Sequence, residues 1–583
     1  MNDKPFVPSR HFRLPFTRRI EKVVSSLSLT GKIFLGSLIA LFSVSSIAML
    51  LQVNSAYMVE IPSRGGRITE GVVGLPRFIN PLLSVTDGDK DLSALVYSGL
   101  LRINPTGEFV PDLAETYSVS ADGKVYSFKL RNTAVFHDGT PVTADDVLFT
   151  ISKAQDPAIK SNKRANWDGV VVEKISDLEV KFTLKQPFAA FIENTTMGIL
   201  PQHLWQGAEG ESFIASDLNV EPIGSGPYKI GSVERNDNGV PMAYDLEAFD
   251  RYVRGTPYIK TLVVKFYTSE KSMIDAFKAG DVDNINSISP DVAADLKVAG
   301  KTVTTGSLPR VFAVFFNQEA NKALAELEVR QALNMSIDRD AIINSTLHGF
   351  GTALDSAAPK SFTSDIDSPR DPLYTSASLN EAITLLEKNG WTLTTEGIRE
   401  KKIGKDTVPL SFSISTSDAP ELKDVAEKVK TEWQKLGAQV SVKVIEGGYL
   451  NQNVIKPRKY DALLFGQVVN RELDLYAFWH SKERQDPGLN VAMYQNTKAD
   501  KALEMIRQIP DRATRLDVYK GFDEEIRKDI PAVFLYSPSF IYVTSPNIKG
   551  LQLNQVSSPS ERFSTILDWY IGTDKVWEVF TSK

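Results

Sequence analysis

The sequence predicts an α/β protein of more than one domain that follows one N-terminal transmembrane helix. Its length of 583 residues is too great for a single hydrophobic core. Residues 33–59 contain no charged side chain. Beyond them, period-two strand patterns are interleaved with amphipathic helical patterns. The interleaving indicates a sheet packed between helices.

The composition is that of a globular protein, with 42% hydrophobic and 24% charged residues. The absence of cysteine excludes disulfides, thiolate metal sites, cysteine nucleophiles and a lipid-modified cysteine anchor. A cysteine-free chain is compatible with a folded part outside the cytoplasm that needs no oxidative folding.

The transmembrane helix is predicted over residues 33–53. The 27 uncharged residues of 33–59 would span about 40 Å as a helix, more than a hydrocarbon layer of about 30 Å. Residues 1–32 carry seven Lys or Arg against two acidic residues, which favours a cytoplasmic N-terminus and an extracytoplasmic bulk in a single-pass membrane protein. A cleaved signal peptide is the alternative, but the basic segment is long for one. Residues 54–64 are predicted to be a linker.

Several later elements are predicted from hydrophobic periodicity and from residues typical of turns and helix ends. Tyr126, Phe128 and Leu130 alternate with polar residues, as in a half-buried strand. Asn238-Gly239 predicts a hairpin turn. Amphipathic or glycine-ended patterns predict helices at 379–389, 421–436, 499–509 and 515–528, and apolar runs predict strands at 441–445, 462–465 and 532–536.

The densest polar segment is 131–147, which contains His137 and three aspartates. His137 and Asp138 could be an acid/base pair or metal ligands. Alternatively, residues 138–140 form a turn and Thr143 caps a helix together with Asp146. We favour the structural interpretation, because every residue then has a place in a turn that starts a helix.

No other motif supports catalysis, metal binding or nucleic-acid binding. The histidines lack metal-ligand spacing, and the aspartates at 87, 89 and 91 lack the glycine and the final glutamate of a calcium loop. The region after residue 32 is acidic, which disfavours nucleic acid. We therefore expect a protein that is not an enzyme and has no metal or cofactor.

A series of short motifs from residue 65 to about residue 568 resembles the extracytoplasmic solute-binding proteins of peptide and nickel ABC importers, the dipeptide and oligopeptide binding family, family 5. The motifs occur in the family's order. They are Gly65-Gly66, Asn80-Pro81, Pro111–Glu115, Tyr126–Arg131, Phe136–Pro141, Pro222–Tyr228, Ala279–Asp283, Arg330–Ala332, Ile337–Arg339 and Tyr460-Asp461.

The resemblance implies a two-lobed, periplasmic-binding-protein-like (class II) fold with an extra subdomain, in which crossing strands act as the hinge. By analogy, the first lobe comprises 65–106, 222–316 and 532–575, and the inserted subdomain comprises 107–221. The second lobe comprises 317–531.

The function implied by the resemblance is that of a membrane-anchored receptor. It would bind a peptide or similar solute between its lobes and deliver it to ABC permease and ATPase subunits, as a monomer without a cofactor. Two alternatives remain: a ligand sensor or interaction protein with the same fold, and a surface hydrolase.

The resemblance also implies where the ligand binds. Peptide-binding relatives carry Gly-Trp-x-x-Asp after the Tyr-Asp strand, and this Asp pairs with the ligand's amino group. Here Gly466 is retained, but Gln467 replaces the Trp and Asn470 replaces the Asp. An amide is a weaker partner for an ammonium than a carboxylate. Glu472 or Asp474 could take over the cation, the ligand could lack a free amine, or the loop could merely pack.

The remaining candidate ligand contacts lie around this loop and elsewhere. We expect backbone groups near Gly466 and Val468 to bind a peptide main chain, and Asn470 with Arg471 to set the end-group preference. Trp479 could cover a ligand side chain or belong to the core. The family pattern adds Leu75, Pro76, Arg77 and Asn490.

Overall fold

The computed structural model describes residues 22–363, 378–577, 579 and 581. The chain forms two compact units. The first contains the segments on either side of Arg64–Ile571, and the second is Arg64–Ile571 itself.

The first unit contains the predicted apolar helix, which is confirmed and runs from Leu29 to Ala56. The Ser28 hydroxyl caps its first turn by accepting a hydrogen bond from the Gly31 amide at 3.2 Å. Within it, Leu29–Asn54 has a mean hydropathy of 2.2. By length and composition the helix is a candidate membrane span.

A strand follows this helix where the sequence predicts a linker. Strand β1 (Met58–Pro62) pairs antiparallel with β23 (Thr573–Trp577), and the rings of Tyr57 and Trp577 stack at 6.4 Å. The two strands are separated by more than 500 residues of sequence, so a local pattern gives no sign that they pair. Residues 573–575, predicted to end the first lobe, belong to this two-stranded sheet.

The strands of the second unit form one large sheet and three smaller ones. The order in the large sheet is β20-β19-β21-β14-β22-β12-β2-β11-β10-β9, and β13 and β15 also pair with β22. A four-stranded sheet, β5-β6-β8-β7, lies within the predicted inserted subdomain. The strands are β2 (Gly65–Val73), β3 (Leu101–Ile103), β4 (Phe109–Pro111), β5 (Ala114–Val119), β6 (Val125–Leu130), β7 (Val171–Ser176), β8 (Glu179–Thr183), β9 (Tyr228–Arg235), β10 (Pro241–Ala248), β11 (Ile259–Tyr267), β12 (Asn284–Asn286), β13 (Thr302–Ser307), β14 (Arg310–Phe316), β15 (Gly351–Ala353), β16 (Thr392–Leu393), β17 (Arg399–Ile403), β18 (Asp406–Pro409), β19 (Ser411–Ser417), β20 (Gln439–Ile445), β21 (Ala462–Val468) and β22 (Ala532–Thr544).

The helices predicted in the C-terminal half are confirmed, with small shifts at their ends. The last of them begins at Arg512 instead of 515, because the Asp511 carboxylate caps it by accepting from the Thr514 amide at 2.8 Å. The longer helices are Asp87–Val96, Ala144–Gln155, Glu270–Ala279, Pro290–Val298, Leu327–Met335, Arg339–Thr346, Leu379–Lys388, Pro420–Lys435, Thr497–Gln508 and Arg512–Asp529.

Strand β22 connects the two lobes. Its first half pairs with β14, which also pairs with β21 of the predicted second lobe, whereas Ser539–Thr544 pairs with β13 of the predicted first lobe. The sequence predicts only the apolar run 532–536, whereas the strand continues past Pro538 to Thr544. The two-lobed fold is thus confirmed, and the lobe boundaries stay a prediction.

The segment 131–147 is a structural joint, as we favoured. The Thr143–Asp146 capping box starts the helix Ala144–Gln155. Nδ1 of His137 accepts from the Gly224 amide at 3.2 Å, and Nε2 donates to the Gly226 carbonyl at 3.1 Å. Burial lowers the pKa of His137 to about 4, so the ring is neutral and can accept this bond at neutral pH.

Candidate ligand-binding site

The predicted binding loop leaves the end of β21. The strand is antiparallel to β14 along its whole length, and Val468 lies opposite Arg310. The Val469 amide then donates to the Pro309 carbonyl at 2.8 Å. A turn follows, in which the Asn470 side-chain oxygen accepts from the Asp474 amide at 2.8 Å. This loop places Arg471 in contact with Glu561 and Glu472 in contact with Glu193.

Arg471 is almost fully buried and joins the binding loop to the segment 555–561. Its guanidinium forms an ion pair with Glu561 and donates to the Gln555 side-chain oxygen at 3.2 Å and to the Gln555 carbonyl at 3.3 Å. The same guanidinium lies over the ring of Phe362, 5.7 Å from its centre. Its charge is therefore compensated within the protein, which leaves less of it for an end group of the ligand.

Glu472 joins the second lobe to the inserted subdomain. Its backbone amide donates to the Glu193 carboxylate at 3.1 Å, and its own carboxylate pairs with Arg515. Burial raises the pKa of Glu193 to about 7, because water that would stabilise the anion is excluded. The Glu472 carboxylate is thus already neutralised and is a poor substitute for the missing family Asp.

A polar chamber of about 470 Å³ lies where these parts meet. Its walls come from one face of the helix Asp87–Val96, from the subdomain, from Arg471 and from Ser557–Glu561. The side chains that line it and are used below are Lys90, Ser93, Tyr97, Lys163, Glu193, Arg471 and Glu561. Its volume is within the range of small-molecule sites.

An apolar slot of about 340 Å³ lies across the crossing strands. Phe312 and Tyr536 stack at 5.1 Å on one wall, and Phe540 also lines the slot. Pro559 lines the slot, whereas its neighbours Ser558 and Ser560 line the polar chamber. A single short segment therefore separates an apolar space from a polar one, an arrangement suited to a solute with both kinds of group.

The other predicted residues of the binding loop are not among the residues that line the polar chamber. Asn470 lines a separate cavity of about 550 Å³ together with Arg507. Asp474 forms an ion pair with Arg507 at 3.1 Å. Gln467 is buried in β21, and Val468 is exposed. A role for these four residues in ligand binding stays a prediction.

Three predicted contacts lie outside the lining of the polar chamber. Pro76 is buried, Leu75 is half-buried against the first-lobe core, and Arg77 is exposed. The Asp89 carboxylate fixes this loop by accepting from the amides of Arg77 at 2.6 Å and Phe78 at 3.0 Å.

Two further candidates are buried in the second lobe. Asn490 is fully buried. Its amide donates to the carbonyls of Trp479, His480 and Tyr494 and accepts from the Tyr494 amide at 3.1 Å. Trp479 is 1% exposed and packs in the core, the second of its two predicted roles.

The chamber residues Lys90, Lys163 and Glu193 were missed from the sequence. Lys90 stands among the aspartates at 87, 89 and 91. Lys90, Ser93, Ala94 and Tyr97 follow helical spacing, so a shared face could have been found. The residues of the opposite chamber walls lie about 70 to 470 positions after Lys90 in the sequence, so local spacing does not predict that they line the same chamber.

Comparison with known proteins identifies the family. Residues 108–486 match the sequence model described as bacterial extracellular solute-binding proteins, family 5 Middle. The oligopeptide-binding protein AppA of Bacillus subtilis (strain 168) is 28% identical over 521 residues, which cover 88% of this chain and 92% of AppA. The dipeptide-binding protein of Escherichia coli (strain K12) is 24% identical over 504 residues, which cover 82% and 90%.

Solved structures agree in fold. AppA from B. subtilis in complex with a nonapeptide has a TM-score of 0.62 at 27% identity, covering 88% of this chain and all of that one. NikZ from Campylobacter jejuni in complex with Ni(L-His) has a TM-score of 0.65 at 25% identity, covering 86% and 99%. Both matches extend over most of the described chain, so they include both lobes.

Proposed function

The chain belongs to family 5 of the bacterial extracellular solute-binding proteins, and on that premise we propose that it captures a peptide or a similar small solute for an ABC importer. The two lobes and the subdomain hold the solute between them, and the receptor passes it to ABC permease and ATPase subunits. The mechanism is binding and domain closure without covalent chemistry.

The open edge of β21 is the observation that carries the peptide assignment. On one side β21 pairs with β14 along its length, but on the other β19 pairs with it only at Ala462 and Leu463. Residues 465–468 therefore have no strand partner on that side among the described residues. An extended peptide can add to such an edge through main-chain hydrogen bonds, which tolerate many side chains. The backbone of Gly466 and Val468 is the proposed contact.

Similarity to AppA, whose structure contains a nonapeptide, supports a peptide ligand. NikZ, which is similar over the same length, holds Ni(L-His), so family membership leaves the solute open. The replacement of the family Trp and Asp by Gln467 and Asn470 separates this chain from its peptide-binding relatives. Asn470 and Arg471, with Asp474, are proposed to set the end-group preference, and Leu75–Arg77 and Asn490 are proposed as further contacts.

The helix Leu29–Ala56 is proposed as an uncleaved single-pass anchor, with the second unit outside the cytoplasm. Its length and its lack of charge support this, as do the basic residues that precede it in the sequence. N-terminal sequencing and alkaline extraction of membranes test it. A mature chain that begins near Tyr57 and washes off membranes would show that the helix is a cleaved signal peptide.

Binding is tested with the full chain in lipid nanodiscs. Native mass spectrometry identifies a solute that copurifies, and calorimetry with di-, tri- and oligopeptides measures affinity. We expect one bound solute per chain and unchanged peptides after incubation. Cleaved peptides would instead indicate a hydrolase, and the absence of any peptide binding would refute a peptide receptor.

A further inference from the structure

The polar chamber contains hydroxyl groups that are buried without a partner. Lys90, Ser93 and Tyr97 lie on one face of the helix Asp87–Val96 and its C-cap, and all three line the chamber. Ser93 is 9% and Tyr97 4% exposed, and neither hydroxyl makes a hydrogen bond within the described part of the chain. A buried donor left without an acceptor is unfavourable, so a bound acceptor would stabilise both hydroxyl groups.

Two lysines line the same chamber, and neither is paired with a carboxylate of the described residues. Lys90 and Lys163 are both half-buried, and neither forms an ion pair with any of the residues described here. Burial, and after it the positive charge of Lys90, lower the pKa of Lys163. The two ammonium groups therefore lie close enough to repel each other. A pair of like charges at one cavity is stabilised by an anion between them.

The remaining charges of the chamber do not cancel these lysines. Arg471 and Glu561 neutralise each other as an ion pair. Glu193 is the other carboxylate among the lining residues, and its pKa of about 7 leaves it partly protonated at neutral pH. The lining thus has three cations against two carboxylates, one of them only partly ionised, so the chamber is net positive.

We propose that this chamber binds an anionic group of the solute, a carboxylate or a phosphate, between Lys90 and Lys163, with Ser93 and Tyr97 as hydroxyl donors. The inference rests on the proposed solute-binding function and specifies its ligand: a small solute with an acidic group in the chamber and its less polar part toward the apolar slot. Carboxylate and phosphate offer the same acceptor chemistry to ammonium and hydroxyl donors.

The test uses calorimetry on the full chain in nanodiscs with matched ligand pairs. Asp- and Glu-containing dipeptides are compared with their Asn and Gln counterparts, and phosphoserine-containing dipeptides with serine ones. We expect at least about tenfold tighter binding of the acidic member, since a buried charge-assisted contact contributes about 1.5–3 kcal/mol. The pair with the larger ratio distinguishes carboxylate from phosphate.

Substitutions of the two lysines distinguish anion binding in the chamber from binding elsewhere in the site. Lys90→Met and Lys163→Met should each remove the preference for the acidic member, whereas Lys163→Arg should retain it. Lys278→Met, an exposed lysine near the end of the helix Glu270–Ala279, is the matched control and should behave as wild type. Equal binding of acidic and neutral members, unchanged in both Met variants, would overturn the inference while leaving solute binding intact.

A second measurement keeps the inference testable if no peptide binds. Inorganic phosphate and succinate are added to the same proteins, and the thermal unfolding temperature is recorded. Stabilisation of the wild type that is lost in both Lys→Met variants would support the anion site even if the peptide proposal failed. Equal shifts in all variants, or none in any, together with no preference for acidic peptides, would refute it.

Discussion

Glu193 and Glu472 are joined by a hydrogen bond in which the Glu472 backbone amide donates to the Glu193 carboxylate at 3.1 Å. The bond connects the inserted subdomain to the binding loop of the second lobe. Since Glu193 also lines the polar chamber, its protonation state affects both the chamber's charge and the contact between these two parts.

Stability should therefore depend on pH through Glu193. The pKa is about 7 in the folded protein against an ordinary value of 4.5. The contribution of this group to stability is full below pH 4.5 and is lost as the pH rises through 7. Between pH 5 and pH 8, the free energy of unfolding of Glu193→Gln should fall by about 1–3 kcal/mol less than that of the wild type. Thermal unfolding of both proteins across this range measures it, and parallel curves would contradict it.

The ion pair between Arg471 and Glu561 should contribute to the stability of the fold. Arg471→Met would leave the partly buried Glu561 without its cation, and we expect a loss of about 2 kcal/mol of stability. Glu561→Gln keeps an acceptor for the guanidinium and should cost less. The exposed pair Lys322–Asp406 is the control, and Lys322→Met should cost less than about 0.5 kcal/mol. Equal effects of both Met variants in denaturant unfolding would argue against this role.

Gly224 should tolerate no side chain. A Cβ at this position would lie 2.0 Å from the Val96 carbonyl oxygen, so Gly224→Ala must displace backbone and should cost more than about 3 kcal/mol. Gly239 has a φ of +77° in the hairpin turn but open space around it. Gly239→Ala should cost only about 1 kcal/mol. A thermal shift for Gly224→Ala no larger than that for Gly239→Ala would disprove the steric argument.

Asn470→Asp should improve the binding of peptides with a free amino group. The substitution introduces the carboxylate that the family resemblance implies at this position, and the Asp474 amide already donates to this side chain. A charged acceptor should strengthen binding of an ammonium by about tenfold. Calorimetry with free and N-acetylated forms of one peptide checks this. An equal change for both forms would mean that the loop does not contact the ligand's amino terminus.

The buried cluster around Arg562 should be essential to the first lobe. The fully buried guanidinium donates to Asp91 at 2.6 and 2.8 Å and lies 3.3 Å from Glu70. Arg562→Met would leave two buried carboxylates without a cation and should cost at least about 3 kcal/mol. Arg562→Lys, which keeps the charge but not the forked geometry, should cost less. Thermal unfolding would contradict the prediction if both variants melted like wild type.

Local patterns predicted the elements whose own residues determine them. The buried stripe of Val425, Val429 and Trp433 and the capping box of Thr143 and Asp146 required no knowledge of the rest of the chain. Strand β22 is predicted only over the apolar run 532–536, whereas it continues past Pro538, which lies opposite Gly351 of β15, a pairing that local sequence does not reveal. The fold class could therefore be predicted from the sequence, whereas the continuity of strand β22 across the two lobes could not.

The chemistry of the site was less predictable than its general location. The loop at 466–474 follows from the family pattern, but the charge balance depends on residues brought together from distant segments. Arg471 could not be recognised as neutralised without Glu561, 90 positions away. Likewise, Lys90 could be recognised as one of two lysines that line the polar chamber only once Lys163 was placed there too. The polarity of a cleft between lobes depends on tertiary contacts and not on periodicity.

The pairing of β1 with β23 has a mechanical consequence. The unit Arg64–Ile571 is continuous at both of its ends with the two strands of that small sheet. A protease that cuts once between residues 63 and 65 would leave the cleaved unit attached through the hydrogen bonds of β23. A two-stranded sheet is only marginally stable alone, so such a nicked receptor should detach slowly, by strand separation, instead of being released at once.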